Sequence, residues 1–192
     1  MSAVLEPVDD PPFERLESIP AYNGAVFTVF AERFRSPDGE EFERQIVRNP
    51  GAVAVVPLHD DGTVTMIRQF RPALGRSIWE IPAGLLDKPG EARFDAAARE
   101  LREEVGLVAS TLEELVTFAP AAGMTDEVIT VFLGRGLMSV ERQADGAEER
   151  HLQIRQIPLT RAVEMIGTGE IDDGKSIIGL LLVVHRGTFA GS

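Results

Sequence analysis

Cysteine is absent from the 192 residues of this chain. Its absence excludes disulfides, zinc–thiolate sites and thiol nucleophiles. Basic residues are few, 19 against 31 acidic ones, and the net charge of −12 argues against a nucleic-acid-binding surface, which needs a basic stripe. The chain has no run of 18 apolar residues and does not start with a basic segment followed by an apolar one. We therefore expect no membrane association, no secretory signal peptide and a cytoplasmic location.

The excess of acids leaves one class of anionic ligand open. An acidic protein can bind a phosphorylated small molecule when divalent cations bridge its carboxylates to the phosphates. The charge balance therefore points towards a metal-dependent site.

The predicted strands come in runs rather than alternating with helices, which indicates an α+β fold. Turn signals and β-branched or apolar runs predict strands at residues 25–34, 41–48, 51–58, 63–70, 112–118, 128–137 and 152–157. Helical patterning predicts helices at residues 92–105, 160–166 and 175–184. The segment 51–58 is apolar almost throughout, which is typical of a strand buried on both faces.

The predicted helix 92–105 carries three carboxylates on one face. At about 100° per residue, Glu100, Glu103 and Glu104 fall within an arc of about 100°. The adjacent arc is occupied by residues that we expect to face the core: Phe94, Ala97, Ala98, Leu101 and Val105. An acidic helix face is usually only solvated, but carboxylate oxygens are also the ligands that hard cations prefer. The residues around this helix favour the second interpretation.

Nine residues around the helix have the spacing of a known motif: Gly84, Glu91, Arg99, Glu100, Leu101, Glu103, Glu104, Gly106 and Leu107. This stretch resembles the Nudix box, written G-x5-E-x7-R-E-U-x-E-E-x-G-U with U a bulky aliphatic residue. The chain departs from it once, with six residues rather than five between Gly84 and Glu91. The extra residue lies in the loop ahead of the helix, so the spacing of the acids is unchanged.

The resemblance implies a site for Mg²⁺, with Mn²⁺ as the alternative ion. Glu100 and Glu104 would be the main ligands, Glu103 a further or water-mediated one, and the carbonyl oxygen of Ala83 an additional one. Arg99 would orient the neighbouring carboxylates, and Glu91 would brace the loop against the helix.

Residues 68–72 (RQFRP) and 79–84 (WEIPAG) are similar to the ADP-ribose pyrophosphatase subfamily, especially its actinobacterial members. This similarity implies that Arg71, and with less support Arg44, binds a substrate phosphate. A surface ion pair at a strand end is the alternative for Arg71. The segment 119–127 resembles a substrate-binding loop of the subfamily and offers Gly123 and Glu127, but Ala122 occupies the position of the subfamily's proline. Other nucleoside diphosphate substrates therefore stay open.

The acidic loop 145–150 is the candidate source of the catalytic base. Related enzymes take their base from such a loop after the box, and its glycine would allow a lid to move. We favour Glu149, followed by Glu148, and the alternative is a solvated hairpin tip.

The resemblance as a whole implies a Nudix α/β/α sandwich with a mixed sheet and a small N-terminal antiparallel β unit. We expect a flexible acidic arm at residues 1–12, the β unit at 13–48, the Nudix domain at 49–187 with its box at 84–107, and a tail at 188–192. The expected protein is a homodimer that exchanges its N-terminal strands. The expected reaction is metal-dependent hydrolysis of ADP-ribose to AMP and ribose 5-phosphate. The alternatives are another substrate, such as GDP-mannose or NADH, and a non-catalytic ADP-ribose sensor.

Overall fold

The computed structural model describes residues 12–143 and 150–189. The chain divides into two compact units. The first unit contains the described residues up to Asn49 together with Ala121–Asp126, and the second contains Pro50–Pro120 and the described residues from Glu127 onwards. The predicted domain boundaries remain predictions.

The first unit is a three-stranded antiparallel sheet in the order β1-β2-β3. Its strands are β1 (Glu14–Asn23), β2 (Thr28–Arg35) and β3 (Glu41–Arg48). The strand predicted at 41–48 is therefore confirmed with both of its ends. The strand predicted from residue 25 begins later, at Thr28, because the turn closed by the Gly24 N–H on the Phe27 carbonyl precedes it.

The second unit contains two sheets. One is antiparallel and consists of β10 (Gln153–Pro158), β5 (Thr63–Arg71) and β6 (Arg76–Glu80), with β5 in the middle. The other has the order β7-β4-β9-β8. Its strands are β7 (Ala83–Leu85), β4 (Ala52–Pro57), β9 (Ile129–Ser139) and β8 (Leu107–Phe118). β4 runs parallel to β9, while the other pairs of this sheet are antiparallel, so the sheet is mixed.

Three α-helices and the short 3₁₀ helix Pro72–Leu74 complete the described part of the second unit. The α-helices are α1 (Arg93–Val105), α2 (Leu159–Gly167) and α3 (Gly174–Phe189). Each lies within two residues of its predicted start, and α3 ends five residues later than predicted. Among the described residues, no helix has the length and apolar character needed to cross a membrane.

The core of the second unit lies on both faces of β4. Val53 and Val55 belong to an apolar cluster with α1, whereas the alternate residues Ala54 and Val56 belong to a second cluster with α2 and α3. All six residues of β4 are buried, which confirms the strand predicted to be covered on both faces. The predicted α+β class and the α/β/α sandwich with a mixed sheet are therefore confirmed.

Candidate functional site

Helix α1 places its carboxylates against the protein rather than in bulk solvent. It ends at Gly106, whose φ of 63° is the left-handed conformation typical of a C-terminal glycine. Glu100 and Glu104 are 7% and 3% exposed, and Glu103 is more open. A merely solvated acidic face is therefore wrong for Glu100 and Glu104.

The apolar arc of α1 was predicted correctly in part. Ala97, Leu101 and Val105 are buried in the core, as expected. Phe94 is 51% exposed and Ala98 is also exposed. Phe94 lies in the first turn of the helix, where its ring contacts Phe132 edge to face with the centroids 6.5 Å apart.

Strand β7 brings the backbone of residues 83–85 onto these acids. The Ala83 N–H donates a hydrogen bond of 2.8 Å to Oε2 of Glu104. At Gly84 an added Cβ would lie 2.0 Å from Cδ of Glu100, so only glycine leaves room for this carboxylate. The glycine at the start of the box motif is thus explained by a close approach of backbone and acid.

Arg99 gathers the acids around one guanidinium. Its Nε and Nη2 donate to the two carboxylate oxygens of Glu91, both at 2.9 Å. Its Nη1 donates to Glu100 at 2.5 Å and to Glu103 at 2.9 Å. The hydrogen bonds from Arg99 lower the pKa of Glu91. The same hydrogen bonds to Glu91, together with those to Glu103 and Glu100, raise the pKa of Arg99. This arrangement has the geometry that the expected bracing role of Glu91 requires.

The donors of this cluster fit a hard divalent cation. Three carboxylates, those of Glu91, Glu100 and Glu103, pair with the guanidinium of Arg99, and Lys88 lies 3.9 Å from Glu103. Carboxylate oxygens are the ligands that Mg²⁺ and Mn²⁺ take. Within residues 12–143 and 150–189, no three histidine or carboxylate side chains converge as a ligand set. Glu100 and Glu103 accept hydrogen bonds from Arg99, and Glu104 accepts one from the Ala83 N–H.

Arg71 lies at the end of β5 and is held by a buried acid. Its Nε and Nη2 donate to the two oxygens of Glu80 at 2.7 and 2.6 Å. Lys175 at the start of α3 also donates to Oε2 of Glu80. Hydrogen bonding to Glu80 raises the pKa of Arg71, and the charge of Glu104 adds to this effect. The ion pair that the sequence offered as the alternative for Arg71 is therefore present, and phosphate binding remains a prediction.

Sequence reasoning missed Glu80 and Lys175. One signal was available, because Glu80 interrupts the apolar run Ile78–Ile81 and a charged residue in such a place needs a partner. The partner itself could not be found from the sequence, since Lys175 lies 95 residues away.

The other predicted site residues lie in three places. Glu127 belongs to the second unit, where burial raises its pKa and the charge of Lys175 acts against that effect. Gly123 and Arg44 belong to the first unit. There the guanidinium of Arg44 lies 4.8 Å from the ring centroid of Phe42 and donates to the Glu43 carbonyl at 2.8 Å. Glu148 and Glu149 lie outside the described residues.

Comparisons with known proteins agree with the box motif. The family model described as the NUDIX domain matches residues 48–177. An ADP-ribose pyrophosphatase of Mycobacterium tuberculosis is 41% identical over 171 residues, covering 89% of this chain and 83% of that protein. An ADP-ribose pyrophosphatase of Bacillus subtilis is 36% identical over 155 residues, covering 81% of this chain and 83% of that protein. A crystal structure described as an ADP compounds hydrolase has the same fold, with a TM-score of 0.82 at 22% identity, covering 93% of this chain and 96% of that one.

Proposed function

This chain belongs to the Nudix hydrolase family, and on that premise we propose that it hydrolyses ADP-ribose to AMP and ribose 5-phosphate with magnesium as its cofactor. The observation that carries the reaction class is the acid cluster of α1 packed on Gly84. The choice of substrate rests on two relatives named ADP-ribose pyrophosphatase that align with at least 81% of the chain. The expected sensor alternative is disfavoured because all the acids of the box are retained.

The side chains that would hold the cation are Glu100, Glu104 and Glu103, together with the Ala83 carbonyl. A divalent cation bound there supplies positive charge for the diphosphate oxygens. Arg99 keeps the acids close to one another and holds Glu91 against the helix. Arg71 would donate to a phosphate oxygen through the guanidinium edge that faces away from Glu80.

The reaction needs a group that accepts a proton from the attacking water. We assign this role to Glu149, with Glu148 as its neighbour. The water oxygen forms a bond to one phosphorus, the bond from that phosphorus to the bridging oxygen breaks, and the water proton moves to the glutamate. Gly123, Glu127 and Arg44 are the further residues that we propose for substrate binding.

We also propose that the chain acts as a homodimer through its first unit. Within the described part of the chain, strand β1 pairs only with β2 in its three-stranded sheet, so its other edge offers backbone groups to a second copy. Large apolar side chains of this unit are more than 40% exposed: Phe13, Ile19, Tyr22, Val26 and Phe27.

A substrate panel tests the proposed function. ADP-ribose, ADP-glucose, GDP-mannose, NADH and diadenosine polyphosphates are each incubated with Mg²⁺, with Mn²⁺ or with EDTA, and the products are separated by chromatography. We expect ADP-ribose to have the highest kcat/KM, with activity lost in EDTA and in the variant E104Q. A higher kcat/KM for GDP-mannose or NADH would replace the proposed substrate, and no turnover of any compound would favour the sensor.

The variant E149Q tests the assignment of the base. We expect kcat to fall about 10²- to 10⁴-fold, the usual contribution of general-base catalysis, with little change in KM. The variant E148Q is measured in parallel, because a larger fall in kcat there would move the assignment from Glu149 to Glu148. Unchanged turnover in E149Q would remove Glu149 as the base.

A further inference from the structure

A buried lysine, Lys175, contacts the same carboxylate as Arg71. Only two of the 19 basic residues of the chain are lysines, Lys88 and Lys175. Lys175 is 8% exposed and the carboxylate that it contacts, Glu80, is 1% exposed. A lysine is rarely buried unless it is paired. Apart from Lys88, every other basic residue of the chain is an arginine, so the lysine at this buried position indicates that a compact ammonium fits here better than a broad guanidinium.

The first turn of α3 ties this lysine to the end of β6. Nζ of Lys175 donates to Glu80 Oε2 and, at 3.0 Å, to Oδ1 of Asp173. The other oxygen of Asp173 accepts the N–H and the hydroxyl of Ser176 at 3.0 and 2.5 Å. The Ser176 hydroxyl oxygen in turn accepts the Ile81 N–H at 2.9 Å. Glu80 and Ile81 are thus both held by the same helical turn.

Glu80 Oε2 is shared between two cations. Oε2 accepts hydrogen bonds from Nη2 of Arg71 and from Nζ of Lys175. Among the described contacts, Oε1 accepts one hydrogen bond, from Nε of Arg71. The Arg71 side chain is 36% exposed, whereas Glu80 is enclosed. The guanidinium therefore binds Glu80 through its Nε–Nη2 edge, which we call the inner edge. The Nη1 side, which we call the outer edge, is left for another acceptor in a side chain that is partly open to solvent.

We propose that Lys175 is a positioning residue: through Glu80 it holds the Arg71 guanidinium so that its outer edge is presented to a phosphate of the substrate. This inference rests on the proposed function, because it takes a diphosphate as the ligand of Arg71. Lys175 itself does not touch the substrate.

Charge balance explains why the lysine is needed. Lys175 and Arg71 together balance Glu80 and Asp173. Without Lys175 the two acids face Arg71 alone, so Glu80 holds the guanidinium more tightly and its charge is less available to an anion. The first turn of α3 also loses its contact with Glu80, so the joined pair of Glu80 and Arg71 is no longer fixed in place.

A double-mutant cycle separates positioning from general damage. The variants K175M, R71M and K175M/R71M are compared with the wild type for kcat and KM on the best substrate of the panel. We expect K175M to raise KM roughly tenfold with kcat changed less, because a misplaced Arg71 would lose about one charged hydrogen bond to the phosphate, and such a loss has this size. In the R71M background the added K175M change should have no further effect on KM. The charge-matched control R161M removes an exposed cation of α2 and should leave both constants unchanged.

Additive effects of K175M and R71M on KM would overturn the proposal, as would a K175M variant with wild-type KM. If K175M does not fold, as judged by its thermal unfolding, K175R takes its place in the same cycle. It retains the charge but not the compact ammonium, and we expect a smaller rise in KM that again disappears without Arg71. Preference of the wild type for another diphosphate would refute ADP-ribose while leaving this cycle to be run on that substrate.

Lysine-selective ¹⁵N labelling gives a second readout that does not depend on turnover. The chain offers two side-chain ammonium signals, and K88R assigns them. With AMP as the probe in EDTA, we expect the Nζ signal of Lys175 to shift in the wild type and to stay still in R71M. An unchanged Lys175 signal in wild-type protein saturated with AMP would contradict the coupling.

Discussion

Glu127 and Glu91 lie in different electrostatic surroundings within the second unit. Burial raises the pKa of Glu127, and the charge of Lys175 counteracts this only in part. At Glu91 the hydrogen bonds from Arg99 have a larger effect than burial, so the pKa of Glu91 is lowered. Glu91 is thus stabilised as an anion by the fold, whereas an ionised Glu127 costs stability. A carboxylate that costs stability is consistent with the substrate contact proposed for Glu127.

The variant E127Q should be more stable than the wild type near neutral pH. The pKa of Glu127 in the folded protein is raised above its ordinary value of 4.5. Its favourable contribution to the free energy of unfolding is therefore complete below pH 4.5 and is lost as the pH rises through the folded pKa. Glutamine stays neutral throughout. We expect a gain of about 0.5 kcal/mol, small because solvent screens a carboxylate that is only half-buried. Urea unfolding at about pH 7.5 and at about pH 4 measures it.

The variant E91Q is the control of opposite sign. The folded pKa of Glu91 is lowered, so its contribution is present above the ordinary value of 4.5 and is lost as pH falls through the folded pKa. E91Q should therefore be less stable than the wild type near neutral pH, and the difference should shrink in acid. A destabilised E127Q near pH 7.5 would show that the charged form of Glu127 is favoured by the fold.

At the scale of elements, the contact between β7 and α1 sets the position of the acids. β7 is only three residues long, yet it pairs with β4 and lays its backbone on Glu100 and Glu104. The helix is fixed from its other side by Ala97, Leu101 and Val105 in the core. The acids therefore keep their place because two elements on either side of them are packed against the same strand.

The variant G84A should lose activity while it remains folded. Its Cβ would lie 2.0 Å from Cδ of Glu100, so the carboxylate or β7 must shift. We expect a loss of about 100-fold in kcat/KM, as a misplacement of about 1 Å produces, and a destabilisation of about 1–3 kcal/mol. Steady-state kinetics and thermal unfolding measure the two effects.

The variant G167A is the matched control for G84A. Gly167 ends α2, and a Cβ there would meet nothing within 4 Å. We expect unchanged activity and equal or slightly higher stability, because alanine reduces the freedom of the unfolded chain. An active G84A would mean that the position of Glu100 relative to β7 does not matter for turnover.

The sequence predicted the elements whose local signals were strong. The apolar run of β4, the turn ahead of β3 and the glycine that ends α1 each mark their element without tertiary information. β1 was missed because nine of its ten residues are exposed and it includes Pro20, so it lacks an alternating pattern. β7 was missed because three residues after a proline carry no periodicity.

The site was predictable to the same extent. The box acids share one helix, so their clustering is a local signal that the sequence carries, while their role as metal ligands stays a prediction. The contacts that position Arg71 involve β5, β6 and the first turn of α3, which is distant in sequence from the two strands and adjacent to them only in the fold. No local pattern predicts contacts between such distant segments, so the pairing of Lys175 with Glu80 could be seen only in the structure.

At the scale of the whole molecule, the proposed homodimer has a direct test. We expect a mass twice that of one chain by light scattering coupled to gel filtration. The variant I19D places a charge on β1 at a side chain that is 52% exposed, and it should shift the mass towards one chain because an unpaired charge is costly in an apolar interface.

The variant L181D is the control for this shift. Leu181 lies on α3 in the second unit and is 45% exposed, so a charge there leaves the first unit unchanged. Its mass should remain that of the wild type. Wild-type protein with the mass of a single chain would refute the dimer.

The parallel pairing of β4 with β9 also determines when the protein can fold during its synthesis. Ala52 aligns with Ile129 in this ladder, and the helix that bears the acids lies in the connection between the two strands. The ribosome must therefore release most of the second unit before β4 gains its parallel neighbour. Until then one edge of this buried apolar strand has unpaired backbone N–H and C=O groups in the nascent chain, which leaves it open to pairing with another chain.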